Sequence, residues 1–510
     1  MLRQVVTKLQ QAGAVCHFTA EQVLPQRYTL FDLANDLPKC QSLPPQHVTA
    51  GLSLCLTQAD SIERVSNDDE AVTRITSHVA EFLGCTPGDI PLPDSSPNHI
   101  ALVEGILGVL RILALDFSAV IDDATLLSAI AYTDSGAIWS TENVAFIAKE
   151  LLDNALISDR KYDFIKSVLL EDFIRPIFSQ FSSDRLTSSG RKSHYGGKSD
   201  HDHGSQHVSI GSVEMTPWKN TQLHAVTVFA WAVEQSYELL IEKCWPLYTP
   251  VLLALLDETD TTCKARGLNI LQDFLARCPV NILRETGLGE IFEQSVFPSL
   301  LSLPTLTAED EAVQLLDPAY NALIRLANAQ FPEAGARPQR NRLLIKILRE
   351  GLLTGYWHAS EYVRIVELLA RQVASVVQHL GAFTVPHLRE LLTMSTNILT
   401  DPFFVSCPSC IQTTSHTLSV IMLNCWPRVM QPTHSGELLR AISICWLNLR
   451  DEESRAPDRK EIQEALAAIS SLVPILSSIF DSANLSLQQQ FSRLSAAEPK
   501  LVDLFGCSKI

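Results

Sequence analysis

Apolar residues return every three or four positions along most of this chain, which is the spacing of one face of an α-helix. Tyr362, Val366, Leu369, Val373, Val376 and Leu380 keep that spacing through one long segment, and Ile462, Leu466, Ile469, Val473, Leu476 and Phe480 through another. Residues 244–279 predict two antiparallel helices. The first carries Leu247, Val251, Leu252, Leu255 and Leu256, with Pro246 and Pro250 near its start. A polar turn follows, Asp257-Glu258-Thr259-Asp260, and the second helix carries Leu268, Leu271 and Leu275. Phe292, Val296, Leu300 and Leu303 hold helical spacing up to Pro304. Thr307-Ala308-Glu309-Asp310 then predicts a capped helix start, in which the threonine hydroxyl accepts from an amide that the helix leaves unpaired. Strand-like alternation of any length is missing. One helical hairpin cannot bury its apolar face alone and must stack on neighbours, so the pattern predicts an all-α fold, an irregular α-solenoid of helix pairs.

Two stretches interrupt the pattern. Residues 85–98 hold Pro87, Pro91, Pro93 and Pro97 with Gly88 and Asp89, a stiff connector in which no helix propagates. Residues 182–216 are rich in Ser, Gly and His and poor in apolar side chains, and predict a disordered loop. The expected organisation is a helical region over 1–84, the connector, a second helical region over 99–181, the loop, a long helical region over 217–485, and a tail or capping segment over 486–510. Pro246, Pro250, the acidic turn, and Lys264 and Arg266 entering the second helix resemble a HEAT repeat. The helix pairs are therefore expected to be HEAT- or armadillo-like.

Charge narrows the choice of partners. The 510 residues include 40 Lys and Arg against 57 Asp and Glu, a net charge of -17. Phosphate-binding surfaces need basic stripes, so nucleic acid is not an expected partner, and an anionic membrane would repel the chain for the same reason. Hydrophobic residues make up 46%, enough for a large interior, while charged residues are only 19% and leave apolar helix faces for partners to cover. The start of the sequence lacks the apolar core of a secretory signal. The stretch 101–115 is interrupted by Glu104 and Arg111 and reads as too short to span a bilayer. The expected location is cytoplasmic and nuclear. Twelve cysteines, most of them single residues in apolar stretches, read as reduced core thiols. The one close pair, Cys407 and Cys410, lacks further ligands for a zinc site.

Catalytic motifs are near misses. Gly197-Lys198-Ser199 ends like a phosphate-binding loop, but Lys192 stands where the leading glycine belongs. His194, His201, His203 and His207 with Asp200 and Asp202 lie in the polar loop, which supplies no rigid ligand frame. Asp122-Asp123 and Asp451-Glu452-Glu453 are expected at polar turns, favouring helix starts. No enzyme, cofactor or metal is expected. One basic run stands out, Arg337, Arg340, Arg342, Lys346 and Arg349, with the last three on one helix face. It reads either as a solvated face or as a docking stripe for an acidic partner surface.

Several blocks resemble, in their order and spacing, a series found in the Tti-two (Tel-two-interacting protein two) family. They are Arg175-Pro176-Ile177-Phe178, Thr187-Ser188-Ser189-Gly190-Arg191-Lys192, Pro217-Trp218-Lys219 and Lys264-Ala265-Arg266-Gly267-Leu268. Thr286-Gly287-Leu288-Gly289-Glu290, Phe297-Pro298, Leu303-Pro304 and Leu315-Leu316-Asp317-Pro318-Ala319-Tyr320 continue the series. The resemblance covers roughly residues 165–400. It implies a non-catalytic scaffold subunit of the TTT complex, with Tti-one and Tel-two as partners. That complex works with the ninety-kilodalton heat-shock chaperone to mature phosphatidylinositol-3-kinase-related kinases. Arg175, Pro176, Phe178, Pro217, Trp218 and Lys219, together with Arg340, Arg342, Lys346 and Arg349, are the candidate partner-binding residues. Trp218 is expected to anchor the chain where it re-enters the helical stack. The alternative is a HEAT-repeat scaffold of another pathway, such as nuclear transport.

Overall fold

Polar side chains at the helix starts show how the chain is punctuated. Asp122 accepts from the Thr125 amide (2.9 Å) and Asp260 from the Cys263 amide (2.7 Å), each satisfying a donor the helix cannot. The computed structural model describes residues 1–12, 27–40, 42–83, 94–178, 224–332, 335 and 337–506. The predicted loop 182–216, Pro217, Trp218 and Lys219, and the connector up to residue 93 lie outside the described residues. The described residues fall into two compact units, divided between Val251 and Leu252.

The first unit contains α1 (Leu2–Ala12), β1 (Tyr28–Thr29), α2 (Leu30–Asp36), α3 (Pro45–Thr57), β2 (Ile62–Glu63) and α4 (Asp68–Glu81). It continues with α5 (Pro97–Asp116), α6 (Asp123–Ile130), α7 (Glu142–Ala155), α8 (Ser158–Asp163), a π-helical segment Phe164–Ile174, and α9 (Arg175–Phe178). After residue 223 come α10 (His224–Gln235) and α11 (Glu238–Leu256), in which the division falls. The two strands pair in parallel, Tyr28 opposite Ile62, and are too short to alter the all-α character. Pro97 begins α5 rather than closing the connector: Ser96 caps the helix, and proline at the first helical position lacks only a hydrogen that has no partner there.

The sequence reading of residues 101–115 needs correction. The helix runs from Pro97 to Asp116, 20 residues, and is long and apolar enough by length and composition to cross a membrane; α11, with 19, and residues 460–482, with 23, share that property. In α5 the apolar side chains Val103, Ile106, Leu107, Val109, Leu110 and Leu113 are buried, and the helix packs on α3, α4 and α7. Two of its three charged groups are matched by α7: Arg111 pairs with Glu150 at 2.6 Å, and Glu104 accepts from Asn143 at 2.5 Å.

The second unit opens on the end of α11 and continues with α12 (Thr261–Leu275), α13 (Val280–Glu285), α14 (Leu288–Val296), a 3-10 turn Phe297–Leu301, and α15 (Glu309–Gln330). Then come α16 (Arg337–Lys346), a π-helical segment Ile347–Leu353, α17 (Thr354–Ala359), α18 (Val363–Leu380), a 3-10 turn Gly381–His387, and α19 (Leu388–Thr400). The unit ends with a 3-10 turn Pro402–Ser406, α20 (Pro408–Asn424), α21 (Trp426–Val429), α22 (Pro432–Arg455), α23 (Lys460–Ser470), α24 (Leu472–Ser482), α25 (Gln488–Ala497) and α26 (Val502–Phe505).

Five of these helices pack one on the next, in the order α12, α15, α18, α20, α23. The polar contacts between them keep register. Thr261 meets Glu311 (3.3 Å), Arg364 pairs with Asp310, Ser409 donates to Glu367 (3.0 Å) and Gln412 donates to the Glu461 carbonyl (3.3 Å). Further along, Gln272 reaches the Pro318 carbonyl, Arg371 pairs with Asp317, and Thr417 donates to the Ala370 carbonyl. Early residues meet early residues and later meet later, so neighbours in this series run parallel. In a second series, α19 packs on α22.

Four local expectations differ from the structure. Pro246 and Pro250 sit inside α11, which starts at Glu238. Thr307 does not cap α15; Ala308 occupies the cap position without a side-chain bond, and Glu309, Asp310 and Glu311 complement the helix dipole instead. The stripe Ile462–Phe480 spans two helices, with a break at Ser471. Asp451, Glu452 and Glu453 lie in the last turns of α22, where the dipole disfavours them. Lys500 pairs with Asp451, Arg455 and Arg459 with Glu452, and Arg450 with Glu453.

Candidate partner interface

The basic run becomes one wall of a cleft in the second unit. Helix α16 presents Arg342 and Lys346, the π-helical segment adds Arg349, and α14 supplies the facing Glu290 and Glu293. Gln330 and Phe331, from the end of α15, complete a space of about 740 Å³. The cations are not equivalent. Lys346 lies 2.7 Å from Glu293 and 4.3 Å from the centre of the Phe297 ring, so its charge is already answered twice. Arg342 and Arg349 are exposed and form no ion pair among the described residues. Arg340 points elsewhere. It is half-buried, its Nε has no partner, and it adds to the burial that holds His379 below the usual imidazole range. His387 is held low by burial in the same way, with Arg349 contributing.

The candidate residues of the first unit separate by exposure. Arg175 and Pro176 are exposed on α9, whereas Phe178 is 2% exposed and belongs to the core. The structure brings Arg342, Lys346 and Arg349 together and leaves Arg340 on the other side of the same helix. Sequence reasoning missed the large exposed side chains of the second unit, among them Trp357 (54%), Phe383 (51%), Phe403 (81%), Leu423 (57%) and Trp426 (45%). In sequence such residues read as core, because an aromatic or leucine in or beside an apolar segment fits a buried face. For Phe383, Leu423 and Trp426 the usable signal was position, at or just beyond the end of a helix.

Chemistry of other kinds finds little support in the geometry. Among the described residues no group of three or more His, Cys, Asp or Glu side chains could hold a metal ion. Nine described cysteines are free thiols, seven of them buried; Cys16, Cys85 and Cys507 lie outside the described residues. Burial pushes the Cys410 thiol up to about 12, the reverse of what a reactive thiol needs. The near-miss phosphate loop and the loop histidines lie outside the described residues.

Residues 125–406 match the model of the Tti2 family. The chain belongs to the Tti2 family. The matched stretch begins at Thr125 in α6, about 40 residues before the resemblance read from the sequence, and ends at the 3-10 turn before α20. It includes the whole cleft wall of α14 and α16. Tti2 membership makes the chain a component of a multi-subunit assembly and a scaffold-type protein. Among solved structures, the chain is similar to the crystal structure of an engineered protein from the Northeast Structural Genomics Consortium. That alignment has 14% identity, covers 86% of this chain and 98% of the other, and has a TM-score of 0.26, a likeness that carries no argument.

Proposed function

We propose that the chain is the non-catalytic adaptor subunit of the TTT co-chaperone complex, binding Tti-one and Tel-two. Through them it serves the ninety-kilodalton heat-shock chaperone in maturing phosphatidylinositol-3-kinase-related kinases, in the cytoplasm and the nucleus. The observation that carries this reading is the Tti2 match across 125–406. The parallel series α12, α15, α18, α20 and α23 supports a HEAT-like solenoid, whose stacked helices leave long edges for other helical proteins. The long apolar helices α5 and α11 and the pair α23 and α24 serve helix packing, with no membrane role, and the basic run serves docking: Arg342 and Arg349 meet carboxylates of a partner.

Co-expression with Tti-one and Tel-two tests the assembly. A stable ternary complex is expected, and depletion of the chain in cells is expected to lower several of these kinases together without lowering their messages. Charge reversal at Arg342 and Arg349 should weaken assembly and make it more salt-sensitive. Lys346→Glu differs, because it also breaks the Glu293 contact and should lower stability as well. A chain that co-purifies with neither subunit, and whose depletion spares the kinases, overturns the proposal.

A further inference from the structure

Cys407 and Cys410 are the only two cysteines of the chain within one helical turn of each other in sequence. They stand where the 3-10 turn Pro402–Ser406 passes into α20. Cys407 takes the cap position, Pro408 opens the helix, and the Cys410 amide donates to the Cys407 carbonyl at 3.1 Å. A turn closed by such a bond keeps its first and last Cα atoms within about 7 Å. Disulfides join Cα atoms about 4.4–6.8 Å apart, so the backbone here already stands within reach of a bridge. Both intervening residues are held in place. Proline sets its own φ, Pro408 is buried, and Ser409 donates to Glu367 of α18 at 3.0 Å.

The two sulfurs differ in access. Cys407 is half-exposed, and its Sγ lies 3.8 Å from the Ser409 hydroxyl. Cys410 is fully buried. Burial, and after it the Glu367 carboxylate, push the Cys410 thiol up to about 12. Cys410 therefore keeps its proton and is shielded from reagents in solvent, whereas Cys407 meets them directly. An accessible sulfur with a sealed one a turn away divides the work of thiol–disulfide exchange: the first reacts with the reagent, and the second resolves the product.

We propose that Cys407 and Cys410 form a reversible redox-active pair, closed to an internal disulfide by exchange with a small-molecule disulfide of the glutathione class. The Cys407 thiolate attacks one sulfur of that disulfide, whose S–S bond breaks, and the first small thiol leaves and takes up a proton. Cys410 then gives up its proton, attacks the Cys407 sulfur and expels the second small thiol, which is protonated in turn. Two protein S–H bonds are thus exchanged for one S–S bond, and the small disulfide is reduced to two thiols. Closure turns the Cys407 sulfur from Ser409 towards Cys410, a rotation about its Cα–Cβ bond. The pair begins at the residue after the Tti2 match ends, and the inference does not rest on the adaptor reading.

The test uses the full chain. Reduced protein is equilibrated at rising ratios of oxidised to reduced glutathione, quenched with acid, alkylated, digested and read by mass spectrometry. The peptide holding both residues is expected to lose two hydrogens and escape alkylation, and to regain both hydrogens in dithiothreitol. In Cys410→Ala, glutathione should stay on Cys407 at least about tenfold longer than in the wild type, because no second sulfur expels it. Cys407→Ser, a change at a half-exposed position, should leave Cys410 reduced at every ratio. A wild-type chain in which Cys407 carries glutathione without going on to the internal disulfide overturns the inference. So does a wild-type chain in which both thiols stay reduced, or oxidation of Cys410 in Cys407→Ser. If Cys410→Ala does not fold, the wild-type and Cys407→Ser measurements decide by themselves.

Discussion

Gln372 of α18 donates to Asp317 of α15, Nε2 to Oδ1 at 3.1 Å, and at the same distance to Asn321 one turn further along. Gln372 is buried, and Asp317 also pairs with Arg371. Asp317 therefore holds one buried and one exposed donor of the neighbouring helix. Replacing it with alanine leaves a buried amide with one acceptor where it had two. Asp317→Ala is expected to cost about 1–2 kcal/mol, chiefly through Gln372, since the Arg371 pair is solvent-screened. Arg371→Ala should cost less than half of that. Denaturant unfolding of the two variants decides; equal losses would mean that the ion pair, not the buried amide, carries the contact.

Two glycines separate close approach from mere helix propensity. A Cβ at Gly267 in α12 would sit 2.7 Å from the Leu255 Cβ and 3.3 Å from its carbonyl carbon, atoms that cannot swing aside. At Gly108 in α5 a Cβ meets nothing within 4 Å. Alanine gains roughly 1 kcal/mol over glycine inside a helix, and overpacking costs ~1–3 kcal/mol. Gly108→Ala should raise the melting temperature and Gly267→Ala should lower it. A stabilised Gly267→Ala protein would show that α11 and α12 separate without loss.

Much of this was legible beforehand, and the misses have physical causes. The stripe predicted from Tyr362 to Leu380 is buried from Val366 onward, because a long amphipathic helix has one face to hide, while Tyr362 precedes the helix and is half-buried. Thr307 failed as a cap because three acids in the next turn answer the dipole without a hydroxyl bond. Ser471 broke a continuous stripe, since periodicity does not register a change of direction between helices. The cleft was invisible for another reason: Glu293 and Lys346 are 53 positions apart, and no local pattern pairs them. Trp426 shows the converse. An aromatic residue in an apolar run reads as core, and only the fold shows that its ring faces outward.

The thiols offer a pH test. Burial pushes Cys55, Cys410 and Cys445 up to about 12 and Cys425 up to about 11, from an ordinary value of 9.0. At pH 8 a thiol at 12 is about one part in ten thousand thiolate, so these groups should resist alkylation while half-exposed Cys263 and Cys407 react first. Above pH 9 the unfolded chain releases these protons while the folded chain keeps them, so stability should fall as pH rises from about 9 towards 12. Mass spectrometry of briefly alkylated protein checks the order; early labelling of Cys445 would contradict its burial.

The end of the second unit poses a choice between tail and cap. Phe491 of α25 and Phe505 of α26 stack with ring centres 4.6 Å apart and planes 13° apart, and Leu487, Leu501 and Leu504 are buried with them. Two ion pairs tie this segment to α22: Arg450 with Asp503 and Lys500 with Asp451, both at 2.7 Å. The acids of these pairs are more than half exposed, so solvent screens both pairs and they contribute little. The buried rings contribute more, because truncating a core phenylalanine costs ~3–5 kcal/mol. Phe505→Ala should therefore lower Tm by several degrees, and Asp503→Asn should barely move it. Ending the chain at Ser486 should do more than either, exposing the apolar surface that residues 487–506 cover and promoting aggregation. If the truncated chain melts where the full chain does, the segment is a tail, and the stack of Phe491 on Phe505 contributes nothing to the fold.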